Sequence, residues 1–305
     1  MKNPPNSKTN LDKALDRFAG TPARAVELRN FMANAIVAQM IDDGVVKGGS
    51  GLKLRFGGKM TRTTLDLDSA WKTGLDEFLK VLSSRLATGW NGFTGETRIL
   101  RQAPARGVPF DYVMQPCEVK LKYLGRPWYT VVLEVGHNEI GDADECDAVE
   151  APAALSELFA FLALPKPGPF PAMRLEYQVA QKLHGASAPG SKRAHDLIDL
   201  QLIVASADLE LRRVRDVCVR LFKYRKRQAW PPTIAVNAGW STTYDGQKAD
   251  LPVLPTVEEA VAWTQRLIDR IDAARGDAGL PMEVAGWAPR HGPGPGPPAG
   301  KRASR

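Results

Sequence analysis

The sequence predicts an α+β protein with two lobes, the first combining strands and helices and the second helical. Strand-like runs occur in the first half of the chain, and four stretches beyond them carry apolar residues at helical spacing. A proline-rich run, 164–173, lies between the two halves and is predicted to be the domain boundary. With 305 residues the chain is long enough for two domains that each bury a core.

The bulk composition is that of a globular protein without membrane segments. Hydrophobic residues make up 44% of the chain and charged residues 25%, as in folded, water-soluble proteins. No apolar run approaches the roughly 18 residues that a membrane helix requires, and the N-terminus lacks the apolar core of a secretory signal. We therefore expect a cytoplasmic protein that does not bind a membrane.

Cysteine usage and net charge narrow the class of partner. The three cysteines, Cys117, Cys146 and Cys218, lack CxxC spacing. They indicate neither a disulfide framework nor a zinc site, so we interpret the thiols as reduced and structural. The formal net charge of +7 favours a polyanionic partner such as nucleic acid.

Caps and periodicity predict the first elements. A helix begins at Thr21-Pro22, where a hydroxyl cap precedes a proline at the first helical position, and it ends at Gly44. A brief strand at Val45-Val46 leads into a glycine turn, and 51–56 fits either a helix or a strand. Residues 1–24 are predicted to form an N-terminal arm outside the domain.

Three further strands and one helix are predicted in the first lobe. Residues 63–68 are β-branched with alternating character and are predicted to form a strand. A helix over 70–87 follows. Two strands, 117–124 and 128–135, form a predicted hairpin with a turn at Gly125-Arg126-Pro127.

The second lobe is predicted to be helical and to cover residues 170–280. Its segments are LEYQVAQKLHGA, RAHDLIDLQLIVAS, a long basic helix over 209–228 and a helix over 257–275. The final stretch, 286–305, is rich in proline and glycine and is predicted to be a disordered tail, because it cannot bury enough apolar surface to order itself.

The stretch KGGS, residues 47–50, precedes two aspartates that lie two positions apart. Glycines let a backbone approach a ligand closely, and free amides at a helix N-terminus favour phosphate oxygens, so Gly48-Gly49-Ser50 fits a cradle for a nucleotide's phosphates. Asp66 and Asp68 are expected on one face of a strand, where two like charges are stabilised by a cation and predict a magnesium site. For an isolated pair of this kind, an ordinary solvated strand face is the alternative.

A third carboxylate is needed for the usual two-metal arrangement, and Glu134 is the candidate. It lies in the apolar strand WYTVVLEV, where an acidic side chain is unexpected. The alternative is a charged tip at a strand end near Gly136.

These residues resemble the motifs of the AbiEii/AbiGii-type nucleotidyltransferase toxins, including the MenT-like enzymes, of the DNA polymerase β-like superfamily. Lys47-Gly48-Gly49-Ser50 with Arg62-x-Thr64-x-Asp66-Leu67-Asp68 is similar to the family's glycine-serine and DxD motif. LEYQVAQKLHG, which contains Lys182, and the run RAHDLIDL over 193–200 are similar to its helix-borne lysine and its RxxDLxDL element. The resemblance covers residues 25–275 and implies a nucleotidyltransferase domain with a mixed sheet over 25–165.

The resemblance implies transfer of a nucleotide from an NTP to an acceptor hydroxyl, with release of pyrophosphate. Asp66 and Asp68 would hold Mg²⁺, with Glu134 in a third acidic position where relatives often carry aspartate. Lys182 would face the negative charge of the phosphates, and Asp196 would position the lysine or an acceptor group.

The nucleotide-binding residues that the resemblance implies are Lys47, Gly48, Gly49, Ser50 and Arg62. Some relatives extend the 3′ ends of tRNA, often with pyrimidines. The implied function is therefore that of a toxin, paired with an antitoxin protein, that modifies RNA at the tRNA acceptor end. Nucleotidylation of a protein side chain and a non-catalytic module that binds RNA or an antitoxin are the alternatives.

One basic segment has two interpretations, and three further side chains are interpreted as having no catalytic role. The basic segment 212–227 is either a solvated helix face or a track for an RNA backbone. His184 and His195 are interpreted as local hydrogen-bond partners without a catalytic role. Asp199 is interpreted as structural, as a partner for Arg193.

Overall fold

The computed structural model describes residues 3–102, 113–248 and 250–275. Within them, one mixed sheet has the strand order β3-β4-β5-β2-β1-β7-β6. The strands are β1 Gly44–Lys47, β2 Leu67–Trp71, β3 Phe93–Ile99, β4 Gln115–Tyr123, β5 Arg126–Gly136, β6 Cys146–Val149 and β7 Phe170–Met173. The helices are α1 Lys8–Ala19, α2 Pro22–Ala38, α3 Gly48–Phe56, α4 Leu75–Thr88, α5 Ala153–Phe161, α6 Leu175–Ser187, α7 His195–Ser206, α8 Leu211–Arg225, α9 Trp240–Lys248 and α10 Val257–Ala273. The predicted α+β class, with a mixed sheet followed by helices, is confirmed.

The hairpin of β4 and β5 forms where the sequence predicts it, but with a tighter turn. Its two turn residues, Leu124 and Gly125, both have positive φ, 47° and 75°, which matches the right-handed twist of the flanking strands. Arg126 and Pro127, predicted as turn residues, are the first residues of β5. Alternating burial along β4 explains why this part of the pattern is legible in the sequence.

The strand predicted over 63–68 is wrong in its bounds. Strand β2 begins at Leu67 and continues to Trp71, so α4 begins at Leu75 and not near residue 70. Ahead of β2 the chain is a loop in which the Asn30 side chain donates a hydrogen bond to the Leu65 carbonyl (2.8 Å). In this loop the backbone is hydrogen-bonded by a side chain and not by a neighbouring strand. The β-branched composition of the segment cannot reveal this difference.

The N-terminal residues belong to the core of the first lobe and do not form a separate arm. Leu11 and Leu15 of α1 are fully buried in the same apolar cluster as α2 and the sheet. The Tyr123 hydroxyl donates to the Pro5 carbonyl (2.5 Å), and the Trp128 indole N–H donates to Asp12 (3.2 Å). These contacts with the hairpin fix α1 against it.

The predicted boundary run 164–173 ends inside the sheet. Residues Phe170–Met173 form β7, which pairs in parallel with β1 and antiparallel with β6. The prolines correctly indicated the irregular segment before this strand, but because of them the strand itself was not predicted. The tail predicted over 286–305 lies outside the described residues.

Two apolar clusters lie on either side of α3. Leu54 of this helix packs in the first cluster, with the sheet, and Leu52 packs in the second, with α6, α7, α8 and α10. Residues 51–56, for which the sequence allowed a helix or a strand, are helical. Because its leucines pack in both clusters, this helix contacts both lobes. The glycine turn at its start is held between them.

Two further observations concern the thiols and the membrane. Cys117 and Cys218 are buried free thiols, whereas Cys146 is exposed on β6, so the structural interpretation fits only the first two. Across the described ranges, none of the helices has the length and apolarity needed to span a bilayer.

We predict that Leu15→Ala destabilises the whole first lobe, because Leu15 is fully buried in its core. Loss of a buried leucine typically costs about 2–5 kcal/mol. Urea unfolding followed by circular dichroism measures this change. The control is Lys13→Ala on the exposed side of the same helix, for which we expect a change below about 0.5 kcal/mol. An equally small change in Leu15→Ala would mean that α1 contributes little to the stability of the lobe.

Candidate active site

A cleft of about 770 Å³ is lined by both lobes and contains most of the predicted site residues. The first lobe contributes the glycine turn, the loop before β2 and the edge where β2 and β5 lie side by side. The helical lobe contributes α6 and the segments before α7 and after α8. Of the predicted residues, the cleft is lined by Lys47, Gly48, Gly49, Arg62, Asp66, Asp68, Glu134 and Lys182.

The pairing of three strands aligns a lysine and two carboxylates. Lys47 at the end of β1 pairs with Asp68 of β2, and Asp68 pairs with Glu134 of β5. Directly paired residues in a sheet project to the same face, so these side chains are neighbours. Asp66 precedes β2 and reaches the same cleft from the loop, not from the strand as predicted.

Burial and mutual repulsion shift the two strand carboxylates toward their neutral forms. Burial raises the pKa of Asp68, and Asp66 adds to the rise, against the lowering effect of Lys47 and Lys182. The pKa of Glu134 is raised by burial, then by Asp68 and Asp66. Such a cluster gains from a cation that lets all the carboxylates ionise.

The glycine turn lies directly against this cluster. Gly48 has a φ of 63°, and a Cβ placed on it would lie 2.0 Å from an Asp68 carboxylate oxygen. A Cβ on Gly49 would lie 3.0 Å from an Arg62 guanidinium nitrogen. Glycine is required here because side chains of the site occupy the space that a Cβ would need. The first turn of α3 has no side-chain cap, which leaves its amides available for an anion.

Ser50 is placed differently from the prediction. Its side chain is buried, and its hydroxyl accepts a hydrogen bond from the backbone N–H of Asp68 (3.1 Å). It is not one of the described residues that line the cleft. In this arrangement Ser50 fixes the start of β2, and through it the position of Asp68, and it does not itself face the cleft.

One carboxylate joins cations from the two lobes. Asp199 on α7 accepts a hydrogen bond from Lys182 Nζ on α6 (2.6 Å) and another from Arg62 Nε in the loop before β2 (3.1 Å). The interpretation of Asp199 as a partner of Arg193 is wrong. Arg193 instead binds Asp196 (2.5 Å), which stands three residues away at the start of α7, within reach of one helical turn.

Asp196 contacts Lys182 and is not among the described residues that line the cleft. It is fully buried and lies 3.4 Å from Lys182 Nζ. Burial alone would raise its pKa, but Arg193 and Lys182 outweigh that effect, so the pKa lies below its usual range and the group stays ionised. Its position is consistent with a role in orienting Lys182 and not with direct contact to a substrate.

Several residues that line the cleft were not among the predicted site residues. Gln178 and Gln181 share the cleft face of α6 with Lys182, and Thr64 lies between Arg62 and Asp66. Gln178 lies three residues before Gln181 and four before Lys182, and this helical spacing is the signal that could have found Gln178. His184 and His195 also line the cleft. Burial, with Arg225 the next largest cause, lowers the pKa of His184 to about 3, and burial lowers that of His195 to about 4, so both are neutral at pH 7.

A loop of the first lobe, 137–144, is bonded to the helical lobe at one end of the cleft. Glu139 accepts two hydrogen bonds from Arg225 at the end of α8 (2.7 and 3.0 Å). Asp142, fully buried, accepts from the Gln181 amide (2.6 Å) and from the backbone N–H of Glu139 (2.9 Å). Burial raises the pKa of Asp142 to about 7, although Lys47 lowers it.

Comparison with known proteins identifies the family. The profile of the nucleotidyl transferase AbiEii toxin family, described as a type IV toxin-antitoxin system, matches residues 30–275. The chain belongs to this family, and it is a nucleotidyltransferase toxin of a toxin-antitoxin system. The resemblance inferred from the motifs is confirmed. A comparison with curated protein sequences gives no significant match.

Two solved structures are similar at low sequence identity. MenT4, a nucleotidyltransferase toxin from Mycobacterium tuberculosis H37Rv, is 18% identical, with a TM-score of 0.47; the match covers 86% of this chain and 97% of that one. JHP933 from Helicobacter pylori is 16% identical, with a TM-score of 0.43, over 80% of this chain and 89% of that one.

We predict that Asp142→Asn stabilises the protein above pH 7. The folded-state pKa of about 7 lies above the ordinary value of 3.8, so the stability that the protonated carboxyl allows is present below about pH 4 and is lost as the pH rises through 7. Asparagine cannot ionise, so its advantage over wild type should grow to the order of 4 kcal/mol. Urea unfolding at several pH values measures it. Asp144→Asn, an exposed change in the same loop, should show no such pH dependence; a flat difference for Asp142→Asn would contradict the shifted pKa.

We predict that Gly48→Ala lowers the rate of nucleotide transfer by about 100-fold or more, because the new Cβ displaces the Asp68 carboxylate and small displacements in a site cost rates of this size. Gly125→Ala is the matched control. Its φ of 75° imposes similar backbone strain, but nothing lies within 4 Å of the added Cβ. Single-turnover transfer from a labelled NTP measures both. Retention of full activity by Gly48→Ala would show that Asp68 does not need its present position.

Proposed function

We propose that this toxin transfers NMP from an NTP to RNA, with Mg²⁺, at the 3′ acceptor end of tRNA. The observation that carries the proposal is that one cleft contains both the carboxylates Asp66, Asp68 and Glu134 and the cation of Lys182 from the opposite lobe. Phosphoryl transfer requires mainly positioning and neutralisation of charge, which this arrangement supplies. We further propose that the nucleotide is a pyrimidine and that the reaction occurs in the cytoplasm, where tRNA is found.

The donor set fits a hard divalent cation. Asp66 and Asp68 offer carboxylate oxygens, the ligands Mg²⁺ prefers, and Glu134 lies beside Asp68. No cluster of three acidic, histidine or cysteine side chains within the described ranges is close enough to form a complete metal site. Mg²⁺ is usually held by one or two carboxylates together with substrate phosphates, and Asp66 and Asp68 are the carboxylates that would supply this set. A bound ion would neutralise charge on the phosphates and on the attacking oxygen.

The chain's own residues would orient the triphosphate. Lys47, Arg62 and the amides at Gly48 and Gly49 face the cleft from the first lobe, and Lys182 faces it from the second. Asp196 and Asp199 hold the Lys182 ammonium in place. The acceptor hydroxyl would attack the α-phosphorus and lose its proton to solvent as the new P–O bond forms, while the bond from the α-phosphorus to the bridging oxygen of the β-phosphate breaks and pyrophosphate leaves.

RNA is the favoured acceptor because the helical side of the cleft is strongly basic. Lys192, Arg193, Arg225 and Arg227 line it, and the chain carries a net charge of +7. Cations near a reaction cleft attract a phosphate backbone more strongly than a neutral protein side chain. The family also implies a cognate antitoxin as a protein partner.

We predict that label from one α-³²P NTP enters tRNA in the presence of Mg²⁺ and not in excess EDTA. Asp66→Ala should lower this labelling by about 1,000-fold or more, because removal of a single preorganised charge-stabilising group costs 10²–10³ in rate and here affects the metal and the phosphates together. RNA binding should remain within about twofold of wild type. Denaturing gel electrophoresis of total RNA and protein after incubation measures the incorporation.

The matched control is Asp76→Ala, which removes an exposed carboxylate in the first turn of α4 and should leave labelling unchanged. Removal of the 3′-terminal hydroxyl of tRNA by periodate should abolish labelling. Label in protein and not in RNA would favour side-chain nucleotidylation. A wild type that binds RNA and labels nothing would overturn the proposal.

A further inference from the structure

A second cavity, of about 750 Å³, opens on the helical lobe next to the cleft. Its described lining has five cationic side chains and a single carboxylate, Asp272. The cations are Arg215, Lys223, Lys226, Arg227 and Arg275. We call this surface the basic groove. Arg227 lines both the groove and the cleft, so the two are adjacent at this residue.

One wall of the basic groove is a single face of α8. Its lining residues recur at steps of three and four, which places them on one side of the helix. They are Arg215, Val219, Phe222, Lys223 and, at the C-cap, Lys226. The opposite wall is the end of α10, where the Trp230 indole and the Arg215 guanidinium both bind Asp272 (3.0 and 3.5 Å). The groove is therefore formed by α8, the end of α10 and the segment 226–231 that follows α8.

The groove carries positive charge that its own carboxylate does not balance. Asp272 is contacted by Arg215 and by Arg275 (2.7 Å), so its charge is already neutralised within the wall. Lys223, Lys226 and Arg227 are exposed around it. Cations at a helix C-terminus also stabilise the helix by about 0.3–1 kcal/mol. That effect accounts for Lys223 and Lys226 but not for the contribution of Arg275, which lies just beyond the end of α10.

We propose that the basic groove binds the sugar-phosphate backbone of the acceptor RNA on the 5′ side of the reacting end. The inference rests on the proposed function, because a 3′ hydroxyl that reaches the carboxylates of the cleft leaves its own strand running outward past Arg227. A polynucleotide is the partner that fits, since it offers several phosphates to a groove lined by several cations, and such contacts give affinity without reading sequence.

The test compares Lys223→Gln/Lys226→Gln with Lys13→Gln/Arg17→Gln. Both double variants remove two positive charges from exposed positions, and both include a cation in the last turn of a helix, so loss of helix stabilisation is matched. Binding is measured without NTP, by fluorescence anisotropy of an RNA hairpin with a single-stranded 3′ end, over a series of salt concentrations. Thermal unfolding verifies that both variants are folded.

We expect the groove variant to bind RNA about tenfold more weakly at about 0.1 M salt. The slope of log affinity against log salt should fall by about 1.4, since each phosphate contact on a single strand contributes about 0.7. The variant on α1 should match wild type in affinity and slope. An unchanged slope in the groove variant, or an equal loss in both variants, would overturn the inference.

Kinetics separate this inference from the proposed function. The groove variant should raise KM for the RNA acceptor about tenfold without a change in kcat, and it should leave transfer to a dinucleotide acceptor unaffected because the dinucleotide is too short to reach the groove. Equal losses with RNA and dinucleotide would contradict the groove. If wild type transfers nothing but the salt slopes differ as expected, the proposed function fails and the groove stands.

Discussion

The carboxylate of Asp199 is the contact on which the arrangement of the site depends. It holds Arg62 of the first lobe and Lys182 of the second on one pair of oxygens, with the lysine and the aspartate almost fully buried. Two buried cations in one place would repel each other and lose hydration, so the shared anion makes their proximity possible. Removing one partner from a buried pair of this kind typically costs about 3–5 kcal/mol. The same bond therefore joins the lobes and concentrates positive charge opposite the sheet carboxylates.

The opposite wall depends on strand register. Pairing of β1 with β2, and of β2 with β5, sets Lys47, Asp68 and Glu134 side by side. The Ser50 hydroxyl accepts a hydrogen bond from the backbone N–H of Asp68 and so helps to fix its position. A one-residue shift of β2 would turn Asp68 to the other face of the sheet. The glycine turn can lie against Asp68 only because it has no side chain there. The carboxylate wall is thus set by backbone geometry, whereas the cations Arg62 and Lys182 are held by the Asp199 side chain.

Much of this could be predicted from the sequence, and the failures have physical reasons. Asp68 was predicted on the cleft face because strand spacing encodes which face a side chain occupies, whereas Lys182 was singled out only through the motif that its helix shares with the family. The bounds of β2 were wrong because Asn30, distant in sequence, bonds the loop ahead of it. Ser50 and Asp199 were assigned to other partners because the choice between nearby groups depends on tertiary packing. Residues 1–24 were predicted to be an arm because the sequence of α1 does not show which surface its apolar face packs against.

We expect one triphosphate to be held between the two walls. A crystal structure with Mn²⁺ and a non-hydrolysable NTP analogue tests this arrangement, since the anomalous signal of manganese locates the ion independently of the nucleotide. Manganese should lie on Asp66 and Asp68, phosphate oxygens on the amides of the glycine turn, and the Lys182 ammonium within hydrogen-bond distance of the same triphosphate. A nucleotide bound outside the cleft, or bound within it while Lys182 contacts only Asp196 and Asp199, would contradict this arrangement.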